Sequence, residues 1–357
     1  MNQKIYFKYL IGAITLFLSY HIFIWVFFTS KIFDLDDKHS IGDLARMSYQ
    51  IDMIYKRKLE YTLPKSFIYK DTYQNQTIDI ITIGDSFSHG SSRGENPYYQ
   101  DYLASSYNLN VLNIDPIDPY DYFSTVVGLA KSGFLKKSHT RYLLIESVER
   151  FFPRRFSRDL NINKYKPIQP IVSDKIFSIR HLDVPMISTA NYKLPYYSFL
   201  YLFKDNAKKD VYKFKLTQKF FTHHINNKIL IFHDDINDIP QFTEKNIIKM
   251  NNNLNKIAKL LKTLDIKLII LPAPDKYDIY ANYIQNNKYP KNPFFKIIKP
   301  LKKDYIFIDT KKILTDKLKE NTLDLYYPDD THWSSKASEA IINSDIVQKV
   351  FKKYNDL

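Results

Sequence analysis

Five short apolar runs recur along the chain, at Ile78 to Ile83, Asn110 to Ile114, Tyr142 to Ile145, Lys267 to Leu271 and Tyr305 to Ile308. Longer mixed stretches separate them. Continuous apolar runs, as opposed to alternating ones, predict strands buried on both faces, and helical stretches between them predict parallel strands joined by crossovers. The clearest helix precedes the fourth run, where Ile247, Met250, Leu254, Ile257, Leu261 and Leu264 step by three and four residues. That is one apolar stripe at helical period, with Thr243 placed to cap its start. A last helix is expected over roughly Ser335 to Tyr354, packing through Ala340, Ile341, Val347, Val350 and Phe351. Between Phe152 and about Asn227 the pattern fails: the stretch is aromatic and basic, with prolines at 153, 167, 170, 185 and 195, and reads as an insertion or lid.

The N-terminal pattern is of another kind. From Tyr9 to Ser30 no residue carries a formal charge, and IGAITLFLSYHIFIWVFF fills the centre. As a helix these residues span about 33 Å, enough to cross a bilayer core. Lys4 and Lys8 precede the run, and Asp34, Asp36 and Asp37 follow it. The positive-inside bias then leaves the N-terminus in the cytoplasm and the bulk of the chain outside. The run is longer than the apolar part of a cleaved signal peptide, and no A-x-A-like site follows it, so an uncleaved single-pass anchor is expected. Residues 31–75 read as a stalk with a short helix around Ile41 to Tyr55. The division expected is therefore 1–30 cytoplasmic tip and anchor, 31–75 stalk, and 76–357 an α/β domain with an insertion at about 152–227.

Composition narrows the chemistry. The chain has no cysteine, which removes disulfides, thiolate metal sites and a cysteine nucleophile. Its net charge of +14 comes mostly from lysine, with 43 Lys against 9 Arg. No finger, helix-turn-helix or RNP-like motif accompanies that charge, so no nucleic-acid partner is expected. Arg141, Arg150, Arg154, Arg155 and Arg158 fall within eighteen residues, and offer either a solvated face or a rim for an acidic glycan. Glycine is scarce at seven, yet Gly84, Gly90 and Gly94 share one short stretch, where the backbone needs unusual dihedrals or close approach.

That stretch begins IDIITIGDSFSHG, a strand running directly into Gly84-Asp85-Ser86. Ser86 is thereby placed at the carboxyl end of the first strand, where open α/β sheets bind ligands, and its backbone N–H can help hold a developing oxyanion. Near the C-terminus stands YYPDDTHWSS, with Asp329, Asp330 and His332 in a loop before the final helix. A serine hydroxyl becomes a nucleophile when an imidazole takes its proton, and the imidazole works best when a carboxylate fixes its tautomer. His89, three residues past Ser86, reads as a first-turn residue. His223 and His224 are adjacent and lack acidic residues at ligand spacing, so no metal and no cofactor are expected. Glu146 and Arg150 fit an i, i+4 ion pair if helical.

GDSF after the first strand together with D-x-x-H before the last helix resembles the SGNH, or GDSL-like, hydrolase superfamily. Within it the chain is most similar to membrane-associated polysaccharide O-acetyltransferases of the alginate acetylation type, through YLLIESVERFF at 142–152, LIILPAPDKYDIY at 268–280 and DTHW at 330–333. The resemblance runs over most of residues 78 to 342, the insertion excepted. It implies a flavodoxin-like three-layer α/β/α fold with Ser86 as nucleophile and His332 as general base. Asp329 fits the D-x-x-H spacing of the superfamily and Asp330 the D-x-H spacing of the alginate-type enzymes; both are candidates, Asp329 narrowly the first. Here the serine precedes the Asp–His loop, whereas in the alginate-type enzymes it follows. The glycine and G-x-N-D segments that usually complete the oxyanion hole are replaced, which leaves Asp85, Asn113 and Arg150 as substrate-binding or oxyanion candidates.

The function expected is that of an O-acyl, chiefly acetyl, transferase or esterase anchored in a bacterial cytoplasmic membrane and acting outside it on a cell-envelope polysaccharide. A multispanning acyl-exporting protein is implied as partner. The alternative is a catalytically inactive glycan-binding or assembly component that uses the arginines and the aromatic insertion as its surface.

Overall fold

The computed structural model describes residues 3–33, 39–55, 57–58, 62–88, 98–174 and 184–351. His89, Gly90, Gly94 and the acidic residues 34, 36 and 37 lie outside these. Helix α1 (Gln3–Phe33) is long and apolar enough to cross a membrane, and relaxes into a π-helical turn at Trp25–Thr29. Helix α2 (Asp43–Ser48) follows it closely.

The expected sheet is present. Strands β1 (Ile80–Ile83), β2 (Val111–Ile114) and β3 (Tyr142–Val148) alternate with helices α3 (Tyr99–Ser106), α4 (Tyr122–Lys131) and α5 (Phe152–Phe156). After the insertion come α7 (Glu244–Lys262), β6 (Lys267–Ala273), α8 (Lys276–Tyr280), β7 (Ile306–Phe307), α9 (Thr310–Lys319), α10 (Ser335–Ile342) and α11 (Asp345–Phe351). The insertion itself carries α6 (Ala190–Leu200) and leads into an antiparallel hairpin, β4 (Val211–Lys215) with β5 (Lys228–Phe232). The five-stranded sheet has the order β2-β1-β3-β6-β7 and every pairing in it is parallel. That is the flavodoxin-like order, whose crevice opens outside the carboxyl ends of the strands where the order reverses, here between β1 and β3.

Side-chain alternation along the strands builds a core on each face. Ile80, Val111, Leu144 and Ile269 point into one core, against α3, α9, α10 and α11. Ile81, Leu112, Leu143 and Ile270 point into the other, where the α7 stripe and α4 cover them. Thr243 caps α7 as expected, accepting the Asn246 N–H at 3.2 Å, while Leu264 lies beyond its end. The last helix differs from the expected single one. It breaks at Asn343 and Ser344, a C-cap residue and an N-terminal partner, and α11 restarts on Asp345.

Within the expected stalk, the described residues 39–55 and 62–75 make contacts with the domain. Leu44, Ala45 and Met53 bury against Val211 and Leu230 of the hairpin, and Ile68 bridges to β2 beside Leu112. Leu44, Ala45 and Met53 are buried because the hairpin offers them a partner surface.

Candidate active site

Ser86 emerges one turn beyond β1. Its neighbours explain why the chain turns so sharply there. The Asp85 N–H and the Ser88 hydroxyl both donate to Glu146 Oε2, at 3.0 and 2.8 Å, and the Ser88 hydroxyl also meets the Tyr99 hydroxyl at 2.8 Å. A Cβ on Gly84 would lie 1.9 Å from Ser88 Oγ and 2.5 Å from Glu146 Oε2, so only glycine permits this approach. Burial, and next the charge of Asp85, hold the Glu146 carboxyl well above the usual carboxylate range.

Asp85 is the second buried carboxylate of the turn. It accepts the Val148 N–H at 2.9 Å and the Phe87 N–H at 3.1 Å, and pairs with Arg155. Burial works against its charge, but the Arg155 guanidinium and the two N–H groups outweigh burial and hold its pKa low. Asp85 therefore braces the serine's turn against β3 and α5.

The other half of the site comes from 246 residues further along. His332 Nε2 lies 2.8 Å from Ser86 Oγ, and His332 Nδ1 lies 2.9 Å from Asp330 Oδ1. A carboxylate only accepts, so Nδ1 carries the proton and Nε2 is left to accept from the serine hydroxyl. Phe87 packs its ring 4.8 Å from the imidazole and 5.1 Å from Trp333, closing one side of the arrangement. Ser334 caps α10 immediately after, which ends the loop.

Asp329, narrowly the first candidate, does not meet the imidazole. Its carboxylate is fully buried and turned the other way, where Oδ2 accepts the N–H groups of Gly42 and Tyr55 at 3.0 and 2.9 Å. Its carbonyl accepts the Ala45 N–H at 3.1 Å. Two neighbouring residues thus divide the work: Asp330 holds the histidine and Asp329 holds the segment that follows α1.

Residues 231–346, which include Asp330 and His332 but not Ser86, match the model of a family described as SGNH hydrolase-like domain, acetyltransferase AlgX. The domain is SGNH hydrolase-like. No curated protein and no solved structure matches the chain significantly.

Two of the expected oxyanion candidates of this SGNH-like site are engaged elsewhere. Arg150 is buried, and its Nη1 donates to Asp275 at 2.8 Å and Asp235 at 3.1 Å. It does not pair with Glu146, because the two stand on a strand and a 3-10 turn and not on one helix. Asn113 is 1% exposed; its amide donates to Ser173 Oγ at 2.9 Å and accepts from Thr82 Oγ1 at 2.8 Å, so it is closed to an incoming substrate. The arginine rim shrinks for the same reason. Arg150 and Arg155 are buried in ion pairs, and Arg141 pairs with Asp79.

Three residues at the site escaped the sequence. Asp43 accepts the Thr331 N–H at 2.8 Å and sets a second carboxylate 4.0 Å from His332 Nδ1. Asp43, Asp330 and His332 offer ligand atoms within 4.8 Å of one another. Lys276 is buried, and its ammonium donates to the carbonyls of Tyr327 at 3.0 Å and Asp330 at 2.6 Å, tying down the loop. Burial pulls its pKa down to about 8 against the nearby Asp330 and Asp43 carboxylates. Glu146 was noticed only as a pairing partner. The signals were an isolated glycine before Asp43 in a glycine-poor chain, and a lysine directly after a strand in LIILPAPDK. His223 likewise proves structural: Nδ1 accepts the Ile225 N–H at 3.1 Å, so Nε2–H donates to Ile54 O at 2.9 Å.

Proposed function

We propose that this chain is a membrane-anchored O-acetyltransferase or acetyl esterase that acts outside the cytoplasm on a cell-envelope polysaccharide. The observation that carries the reading is the continuous line Ser86 Oγ, His332 Nε2, His332 Nδ1, Asp330 Oδ1, with both hydrogen bonds under 3 Å. The match of residues 231–346 to the AlgX-type domain supports an acyl-transferring enzyme.

In the proposed first step Ser86 Oγ attacks the carbonyl carbon of an acetyl ester while its proton passes to His332 Nε2. The imidazolium is steadied by Asp330. The tetrahedral intermediate collapses, the donor oxygen leaves with the proton from His332, and an acetyl-serine remains. A sugar hydroxyl or water then attacks that ester, its proton going to His332, and collapse returns Ser86 with its proton. Transfer and hydrolysis differ only in which hydroxyl is held there. The Ser86 N–H, at the turn after β1, is assigned to the developing oxyanion.

The anchor is part of the proposal. Tyr20, His21 and Trp25 of α1 are bonded into the folded domain, and Ile32 at its end is fully buried, as befits a helix that stays with the protein. Lys4 and Lys8 orient it with the domain outside. Cytoplasmic acyl donors are then on the wrong side, so an acyl-exporting membrane partner belongs to the reading. Burial of Arg150 and Arg155 removes much of the surface that the inactive glycan-binding alternative needs.

The test is the ester content of envelope polysaccharide from cells carrying the parent chain or Ser86→Ala, measured as acetate released by mild alkali. The variant lowers it if the chain transfers acetyl and raises it if the chain hydrolyses acetyl. Unchanged acetate at equal protein level contradicts the proposal.

A further inference from the structure

Outside α1, the large apolar side chains exposed among the described residues stand singly, at Ile117, Ile171, Ile248 and Ile346, except along one segment. From Val184 to Phe203 twenty residues carry one charge, Lys193. Ile187, Tyr192, Tyr196, Phe199, Leu202 and Phe203 are all exposed there, the last two at 75% and 71%. A water-soluble surface seldom leaves so many neighbouring apolar groups uncovered.

The segment is fastened to α1 by polar groups of the apolar helix itself. The Tyr20 hydroxyl donates to the Asn191 carbonyl and Trp25 Nε1 to the Val184 carbonyl, both at 2.9 Å. Asn191 Nδ2 donates to Met186 O at 2.7 Å and meets His21 Nδ1 at 2.8 Å, which leaves His21 Nε2–H to donate to the Tyr192 hydroxyl at 2.9 Å. The Tyr20 and Tyr192 rings stack at 5.2 Å. Backbone carbonyls captured in this way are what a lipid environment demands of a segment that enters it.

Depth follows from the helix rise. Trp25 and Tyr20 lie five and ten residues before Ser30, the outer end of the uncharged run, which is about 7 and 15 Å along the axis. That is within one leaflet of a hydrocarbon core about 30 Å thick. On the anchored reading proposed above, their partners Val184 and Asn191 share that depth. We propose that Val184–Phe203 is a re-entrant membrane element whose exposed face is covered by lipid. Tyr197, stacked on Tyr49, and Tyr201, whose hydroxyl donates to Val211 O at 2.7 Å, turn toward the folded domain and suit the interfacial belt.

The element also reaches the site. Tyr197 stacks on Tyr49 at 5.9 Å, directly after α2, and α2 begins with Asp43 beside His332. A lipid-seated α6 would hold the Asp–His loop close to the membrane surface.

The chain lacks cysteine, so single cysteines report cleanly. The full-length protein, carrying Phe199→Cys or Phe203→Cys labelled with an environment-sensitive dye, is reconstituted alone into vesicles of phosphatidylcholine and phosphatidylglycerol. Leu16→Cys reports the anchor, and Ile248→Cys on α7 reports water. The proposal expects blue-shifted emission, quenching by doxyl lipid and protection from iodide at 199 and 203, as at 16. Water-like emission and iodide quenching at 199 and 203, equal to that at 248 while 16 still reports lipid, overturns it and assigns the face to a protein partner. Water-like emission at 16 as well overturns the anchored reading and this element with it.

Discussion

The two halves of the site are held in opposite ways. The serine turn is braced from inside the domain, by Glu146 of β3 and, through Asp85, by Arg155 of α5. The Asp–His loop is braced from its periphery, by Gly42, Asp43 and Tyr55 of the segment after α1 and by Lys276. The lesson is that the position of Ser86 depends on the core, while that of His332 depends on the segment that follows α1. Damage to one half should leave the other standing.

The sharpest way to test that division is to change one carboxylate of the adjacent pair. Asp330→Asn keeps the shape of the loop but permits the wrong imidazole tautomer, and ester turnover is expected to fall about 10⁴-fold with unchanged folding. Steady-state kinetics beside a urea unfolding curve check this; equal loss from Asp329→Asn would contradict the division. The next effect in size belongs to Asp329→Ala, which strands two N–H groups that now donate to a buried carboxylate. Stability is expected to drop by about 3 kcal/mol. Limited proteolysis should open the 39–55 segment first, with the serine turn still protected.

A smaller effect sharpens the inner half. The Glu146 carboxyl is held above the usual range by burial first and by Asp85 second. The native state then keeps a proton that the unfolded chain releases, so this stabilisation is complete below about pH 4.3 and declines as pH rises toward the folded value. Asp85 has the opposite sign: its folded pKa is low, so its contribution is present above about pH 3.9 and is lost as pH falls through the folded value. Glu146→Gln should flatten the decline on the rising-pH side and leave the acid limb in place, read as the urea midpoint against pH. A variant whose midpoint declines as the parent's does would contradict the assignment.

The smallest effect concerns Lys276. Its folded pKa of about 8 lies below the unfolded value of about 10.4, so the native state gains stability as pH rises from 8 to 10. Lys276→Met should remove that gain, and should loosen the loop enough to raise KM or lower kcat. A rise in stability with pH that survives the substitution would contradict this.

Much of the frame was legible because it rests on local pattern. Each of the five strands lies on an expected apolar run, and the α7 stripe and its Thr243 cap follow from spacing alone. The meeting of Ser86 and His332 was legible because an imidazole-activated serine requires a sharp turn after a strand and a loop beside a carboxylate. What stayed hidden depends on partners far along the chain. Asp329 and Asp330 share one loop, and Gly42 and Tyr55, more than 270 residues away, draw the Asp329 carboxylate away from the imidazole. Arg150 looked available because Asp235 and Asp275 lie 85 and 125 residues downstream. The segment after α1 read as a stalk because its apolar residues are interspersed with charged ones and form no long run, and the hairpin that buries Leu44, Ala45 and Met53 begins at Val211.

The most direct test of the central claim is intact-mass spectrometry of the full-length protein after brief exposure to p-nitrophenyl acetate, beside Ser86→Ala and Asp330→Asn. The account predicts a gain of one acetyl on the parent, mapped to Ser86, absent from Ser86→Ala and strongly reduced in Asp330→Asn. A folded parent that takes up no acetyl, or takes it up equally in Ser86→Ala, would contradict it.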